Sequence, residues 1–439
     1  MAISSFLGLQ TSLRGLLAQQ QALDVTTHNV ANANTVGYTR QEATLGAAAA
    51  LHVTGGATQD GSGVFIGQGV DVTAYRRIRD SFLDLQVRAQ TMALGDGSTS
   101  AQALDNVQSA VNEPSTTGIN AMLSKFYAAW TNLSNHPEDP GAKTAVDEAA
   151  KTLADSFASL SSEISAAAAA AQDQLDATTG ANGPIAAAAK SLAKLNKAID
   201  SAVDAGQSPN DLLDQRDQIL DQLSQYGNVS IVPQAGGRIQ VMLGNQSVVS
   251  DTTVDWPATL PSTFSAGGGQ LGALQTLTST TLPGYLASLD QVATTLATDV
   301  NAAFGSTYFT VSTGVPGSVA AHLGDAIPAA VAGSGASGTN DVALAMSALS
   351  TTSAAGAQYA AFVRQVGADT DNAERAQSIA QAALDSAEDR RQNVSGVSLD
   401  EEMANLIRFQ RGYQASARAM SSVDDLLDTL INRAGRVGL

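Results

Sequence analysis

The sequence predicts a mainly α-helical chain with a smaller β-rich domain, in which the N- and C-terminal helices pair as a coiled coil. Three observations carry the prediction. Both ends hold apolar residues spaced alternately three and four apart, which is the a/d rhythm of a left-handed coiled coil. Most of the chain between Asp80 and Gln225 keeps a helical period, and only residues 228–270 switch to a period of two.

The first seam is Phe6, Leu9, Leu13, Leu16, Gln20, Leu23, Thr27 and Val30, on a helix expected from Ser4 to Asn32. Residues 32–38 supply the Asn and Gly of a turn that ends it. Residues 43–75 read as extended, with short β-branched pieces between glycines. From Asp80 onward long helices are expected, broken at Gly95-Asp96-Gly97, Asn112-Glu113-Pro114, residues 137–141, 180–184 and 206–209. The alanine run 166–171 suits a closely approached helix, since alanine has high helix propensity but buries little area. Ser208-Pro209 reads as an N-cap followed by proline at the first helical position. Val229, Ile231, Ile239, Val241, Leu243 and Val248, with Gly236-Gly237 and Gly244-Asn245 as turns, define a small β-rich unit.

A helix is expected from Tyr285 to Ala303, then a weakly patterned Gly/Ala/Ser stretch to about residue 338, then a helix from Thr352 to Asn393. The terminal seam follows: Leu399, Met403, Leu406, Gln410, Tyr413, Ala417, Met420, Asp424, Leu427 and Ile431. Ser398 and Glu401 carry the spacing of a capping box, with Arg433 and Arg436 at the far helix end. The domains this implies are 1–42 with 395–439 (terminal coiled coil), 43–227 with 283–394 (mainly helical) and 228–282 (β-rich). Two single helices contribute only a narrow strip of buried side chains, roughly 1.5–3 kcal/mol each. Neither seam is expected to be stable alone, and the matched pair points to a subunit that polymerises.

Composition excludes several functions. The chain has 439 residues, 41 acidic against 23 basic and a formal charge of −18, so it repels nucleic acid and anionic lipid. There is no cysteine, hence no disulfide or thiolate chemistry. No stretch nears the roughly 18 apolar residues of a membrane span, and the first 25 residues lack the pattern of a cleaved signal peptide. The four histidines share no metal-site spacing, and the glycines at 61, 63 and 67 do not match a nucleotide loop. No catalytic residue, cofactor site or metal site is expected; a cell-wall hydrolase would need paired carboxylates that the sequence does not display.

The run from Leu23 to Gln41, with Asn29, Asn32, Asn34, Gly37 and Tyr38, resembles the N-terminal signature of the flagellar rod, hook and hook-associated axial proteins. The segments Gly206 to Asp217 and Ser395 to Arg418 are similar to hook-associated members of that family. The resemblance implies a non-enzymatic structural subunit at the hook-filament junction, outside the cell, with terminal helices lining an inner tube and the β-rich insertion facing outward. It implies as partners other copies of the chain in a ring, the hook protein, hook-associated protein 3, and an export chaperone on the C-terminal helix. Export through the flagellar type III apparatus without signal cleavage is implied in the same way. The long helical region disfavours a hook or rod subunit, and the signature disfavours a flagellin-like one. Residues 302–309 are abbreviated relative to the family, which implies a reduced or missing outer domain.

Overall fold

The structure, a computed structural model, describes residues 2–53, 64–312 and 314–429. Ile431, Arg433, Arg436, part of the glycine-rich stretch 61–67 and the side chain of Phe6 lie outside the described residues. Helix α1 (Ala2–Ala31) leads into a long hairpin: β1 (Gln41–Ala47) pairs antiparallel with β4 (Val70–Arg77), and β2 (Leu51–Val53) pairs with β3 (Val64–Ile66) further along. This arm lies on α1. Arg14 reaches Asp71 at 2.9 Å, and a Cβ at Gly69 (φ +98°) would stand 3.2 Å from the Thr11 carbonyl oxygen.

Asp80 caps α2 (Ser81–Val111) by accepting from the Phe82 amide, and Asn112, in the left-handed region, ends it. The helix passes through Gly95 and Gly97 unbroken, against the expectation of a break there. Close approach explains these glycines: a Cβ at Gly95 would sit within 2.2 Å of the Gln225 carbonyl oxygen, and one at Gly97 within 2.9 Å of the Gln377 nitrogen. Helices α3 (Ile119–Asn135), α4 (Pro140–Thr179), α5 (Pro184–Asp204) and α6 (Asn210–Ser224) follow, α4 and α5 opening on proline. Helix α6 starts later than expected. Pro209 has a non-helical ψ and becomes the flanking residue, while Ser208 lends only its carbonyl to the Asn210 amide.

Strands β5 (Val229–Pro233), β6 (Ile239–Leu243), β7 (Gln246–Ser250) and β8 (Thr253–Val254) form an antiparallel meander. Its inner face, with Ile239, Val241, Leu243, Val248 and Val249, shares one core with Ile185 and Leu192 of α5 and Leu220 and Leu223 of α6. Asn196 of α5 donates to the carbonyls of Ile239 (2.7 Å) and Asp251 (2.6 Å). The boundary drawn before residue 228 therefore crosses a single core. Helix α7 (Gly269–Thr276), a π-helical turn (Leu277–Thr281) and α8 (Leu282–Phe304) run on without a gap, because Leu271, Leu274, Leu277 and Leu282 are all buried.

The main core gathers Phe126 and Trp130 of α3, Phe157 of α4 and Tyr285 of α8. Tyr308 and Phe309 plug the same core, both fully buried. Asn301 holds them: its Oδ1 accepts from both amides, at 2.6 and 2.9 Å, and its Nδ2 donates to the Phe309 carbonyl. Asp290 accepts from the amides of Gly317 and Ala320 and so anchors α9 (Ser318–Ala321). The weakly patterned stretch is thus part of the core's cover. Helix α10 (Asp341–Thr352) and the long α11 (Ala355–Ser395) complete the domain. Beyond the main core α2 and α11 continue side by side around a small cluster of Val87, Leu384 and Ala387. Helix α12 (Leu399–Asp428) then returns along α1.

Candidate assembly surface on the terminal helices

Helices α1 and α12 run antiparallel, and four close approaches set their register. Gly8 faces Val423, Gly15 faces Ser416, Gln19 faces Gly412, and Asn29 donates to the Glu402 carboxylate at 3.2 Å. The two residue numbers in each pair keep a constant sum, as antiparallel helices of equal rise require. A Cβ at Gly15 would stand 3.0 Å from the Ser416 hydroxyl, and one at Gly412 2.7 Å from Gln19 Oε1, so the backbones approach closely there. Ala18, Ala22, Thr26 and Asn29 are buried along this line, as is Glu402 on the opposing helix.

The buried line is not the expected one. On each helix it lies one residue before the leucine-rich seam, a rotation of about 100°. Small residues face the partner helix because interaxial distance depends on the side chains at the contact, and Gly, Ala and Ser permit the closest packing. The large apolar residues are displaced to the flank. Leu13 is 44% exposed, Met403 50% and Leu399 52%, while Leu9, Leu16, Leu23, Val30, Leu406, Tyr413, Met420 and Leu427 are half-buried. Gln20, Thr27, Gln410 and Asp424, the polar members of the expected seams, are exposed. Leu17 and Ile407, outside the expected seams, are also exposed.

The signature segment closes the base of the pair. Asn29 Oδ1 accepts from the Tyr38 hydroxyl (2.7 Å) and the Gln41 amide (3.0 Å), and Asn29 Nδ2 also donates to the Gln41 carbonyl (2.9 Å). Asn32 donates to the His28 carbonyl and accepts from the Thr35 hydroxyl. Gly37 adopts φ +80° and leaves the Val36 carbonyl to Gln218 of α6. Asn34 is exposed. Burial, then the nearby Asp211, Asp214 and Glu402 carboxylates, push the Tyr38 phenol far above its ordinary pKa, so it stays a hydrogen-bond donor.

The expected capping box does not form. Ser398 makes no side-chain cap, and Glu401 turns instead to Arg40 at 2.6 Å, where a charge-assisted bond outweighs a neutral one. Glu402, one residue further on, is buried and pairs with Arg40 Nε at 2.7 Å. The glycines of the contact line were also missed; their signal was the spacing Gly8, Gly15, Ala22, Asn29, one heptad apart on a helix.

Comparison with known proteins matches three stretches of the chain. Residues 9–39 match the flagella basal body rod protein family, residues 104–263 the flagellar hook-associated protein FlgK helical domain, and residues 390–433 the flagellar basal body rod FlgEFG protein C-terminal family. The helical-domain match spans residue 228, in keeping with the shared core there. Flagellar hook-associated protein 1 of Bacillus subtilis (strain 168) is 28% identical over 98% of this chain and 99% of its own length. The proteins of that name from Escherichia coli (strain K12) and Salmonella typhimurium are 31% and 30% identical over 58% and 57% of this chain. There the match spans less than half of the relative, 45% and 44%.

A terminal helix pair sealed by the rod-type signature, carrying a helical domain, defines the chain as a flagellar axial protein. Within that class it is similar along nearly its whole length to flagellar hook-associated protein 1 of Bacillus subtilis, and residues 104–263 match the helical domain of that family. A solved structure, "The structure of the flagellar hook junction protein FlgK from Burkholderia pseudomallei", aligns over 52% of this chain and 47% of that one at 25% identity and a TM-score of 0.45.

Proposed function

We propose that this structural protein of the bacterial flagellum adapts hook to filament at their junction by polymerising through the outer stripes of its terminal helix pair. The observation that carries the reading is the division of labour between two adjacent lines on each helix. The small-residue line closes the pair within one chain, and the leucine-rich line is left on the flank, with Leu13, Leu399 and Met403 about half exposed. A neighbouring copy that covers those side chains adds roughly 1.5–3 kcal/mol for each one fully buried. Contacts that join different faces of successive copies generate rings or tubes rather than closed dimers.

In this reading Phe6, Leu9, Leu13, Leu16, Leu23 and Val30 of α1 meet Leu399, Met403, Leu406, Tyr413, Met420, Leu427 and Ile431 of neighbouring chains. The ring sits between hook protein on one side and hook-associated protein 3 on the other. An export chaperone covers the C-terminal helix before assembly, and the chain leaves the cell through the type III apparatus with its N-terminus uncleaved. The test is a pair of variants, Leu13→Asp and Met403→Asp. Each should change the isolated chain's stability by no more than about 0.5 kcal/mol, while cells make hooks but shed unpolymerised flagellin. Normal swimming in both would remove the outer stripes from the interface, and a deletion strain without hooks would move the protein to hook or rod.

A further inference from the structure

The terminal helix pair and its β arm join the helical domain through two chain segments, Ile78–Asp80 and Gly396–Ser398. The backbones meet at one point: the Arg40 amide donates to the Ser395 carbonyl (2.9 Å), and the Ile78 amide donates to the Arg40 carbonyl (2.8 Å). Among the described residues no hydrophobic cluster spans this joint. Ion pairs on one helix face span it, beside hydrogen bonds from the Thr39 amide to Asp214, from Gln41 to Asp211, from Asn210 to Gln41 and the Tyr75 carbonyl, and from Gln218 to the Val36 carbonyl. Helix α6 places Asp211, Asp214, Asp217 and Asp221 three and four residues apart, hence along one side.

Arginines from four other parts of the chain end on that side. Arg77 of β4 reaches Asp214 at 2.8 Å and Asp217 at 2.7 Å. Arg79, between β4 and α2, pairs with Asp217 and with Asp84 of α2. Arg88 of α2 and Arg391 of α11 reach Asp221 at 2.8 and 2.6 Å, and Arg88 lies 3.7 Å from Asp217. Asp217 is therefore shared by arginines from both sides of the joint. The far side of α6 is rigidly braced: Leu220 and Leu223 are in the core shared with the β-sheet, and buried Arg216 donates to the Gly237 carbonyl at 2.7 Å. Burial, then the like charges of Arg77, Arg79 and Arg88, lower the Arg216 pKa to about 10. Beside the joint lies a cleft of about 820 Å³, walled by residues 33–39, α2, α6 and α11.

We infer that the acidic face of α6 is an orientation latch: Asp217, shared among Arg77, Arg79 and Arg88, holds the terminal pair at one angle to the helical domain, and its release lets the pair swing into the adjoining cleft. A joint without a shared apolar cluster is free to move once its polar contacts are loosened, and the Asp217 pairs, with side chains 9–18% exposed, are weakened by salt, though less than fully exposed pairs. The β-rich insertion then has a mechanical role, as the brace that keeps α6 in place. The inference concerns the single chain and does not depend on how copies assemble.

The experiment uses the full chain, which has no native cysteine. Spin labels at Ala404→Cys on α12 and Ala166→Cys on α4 report the angle by pulsed electron spin resonance, and a second pair within the helical domain serves as control. At low salt the unmodified protein should give one narrow distance peak. Asp217→Asn, and separately high salt with Asp217 intact, should add a second peak at a different distance while the control pair is unchanged. A single unshifted peak under high salt, or in Asp217→Asn with the control pair unchanged, overturns the latch. Should the control distance move in the variant, the salt series on the unmodified residue decides.

Discussion

The helical domain and the terminal pair bury opposite kinds of side chain. In the helical domain the large residues go inside: Trp130, Phe126, Phe157, Tyr285 and Phe309 are all essentially inaccessible. In the terminal pair the small ones do, with Gly15, Ala18 and Ala22 on the contact line and the leucines on the flank. A domain that must hold its shape alone uses its bulk for itself. The helix pair closes mainly on small side chains and the Asn29–Glu402 contact, which leaves the leucines on its flank.

Each side of this comparison makes a prediction that would break it. Trp130→Ala should cost the helical domain about 3–5 kcal/mol, since it empties a fully buried site. Thermal unfolding followed by circular dichroism checks this, and a much smaller loss would mean the core collapses around the gap. Gly15→Leu should cost about 1–3 kcal/mol and act only on the terminal pair, because the added side chain meets Ser416 across a close approach. Hydrogen exchange should show faster exchange in α1 and α12 with α3 and α8 unaffected; uniform loss would show the two regions to be coupled.

Alkaline titration should also act on the helical domain. Burial is the first cause raising the pKa of Tyr285, Tyr308 and Tyr359 far above the ordinary value of 10.0, so the folded phenols stay neutral where unfolded ones ionise. Above about pH 10 the unfolded state binds fewer protons than the folded one, and stability falls as pH rises. Phenolate absorbance should therefore appear together with unfolding, and a smooth titration of these groups in a folded chain would contradict their burial. The smallest change belongs to Leu13→Asp, which should shift the isolated chain by no more than about 0.5 kcal/mol while abolishing assembly.

Much of the fold was legible from local patterns. The helical period, the proline starts of α4 and α5, the turn at Gly244-Asn245 and the return of a heptad seam near Leu399 all depend on residues close in sequence. Where local reasoning missed, a distant group had won. The Glu401 carboxylate goes to Arg40 rather than back to the Ser398 amide. Gly95 and Gly97 sit inside a helix as glycines because the backbones of Gln225 and Gln377 leave no room for a Cβ. The stretch after Ala303 reads as weakly patterned, since a single side chain holding Tyr308 and Phe309 in a core leaves no periodic trace.

From its residues alone, this chain announces two heptad-patterned terminal helices, a long-helix domain, a β-rich insertion and a signature turn, because amphipathic period and turn chemistry act within a few residues of themselves. Which of two neighbouring stripes on each terminal helix faces inward was decided in three dimensions. Both stripes share the same heptad period and differ by one residue, so only the distance at which α1 and α12 settle can choose between glycine and leucine.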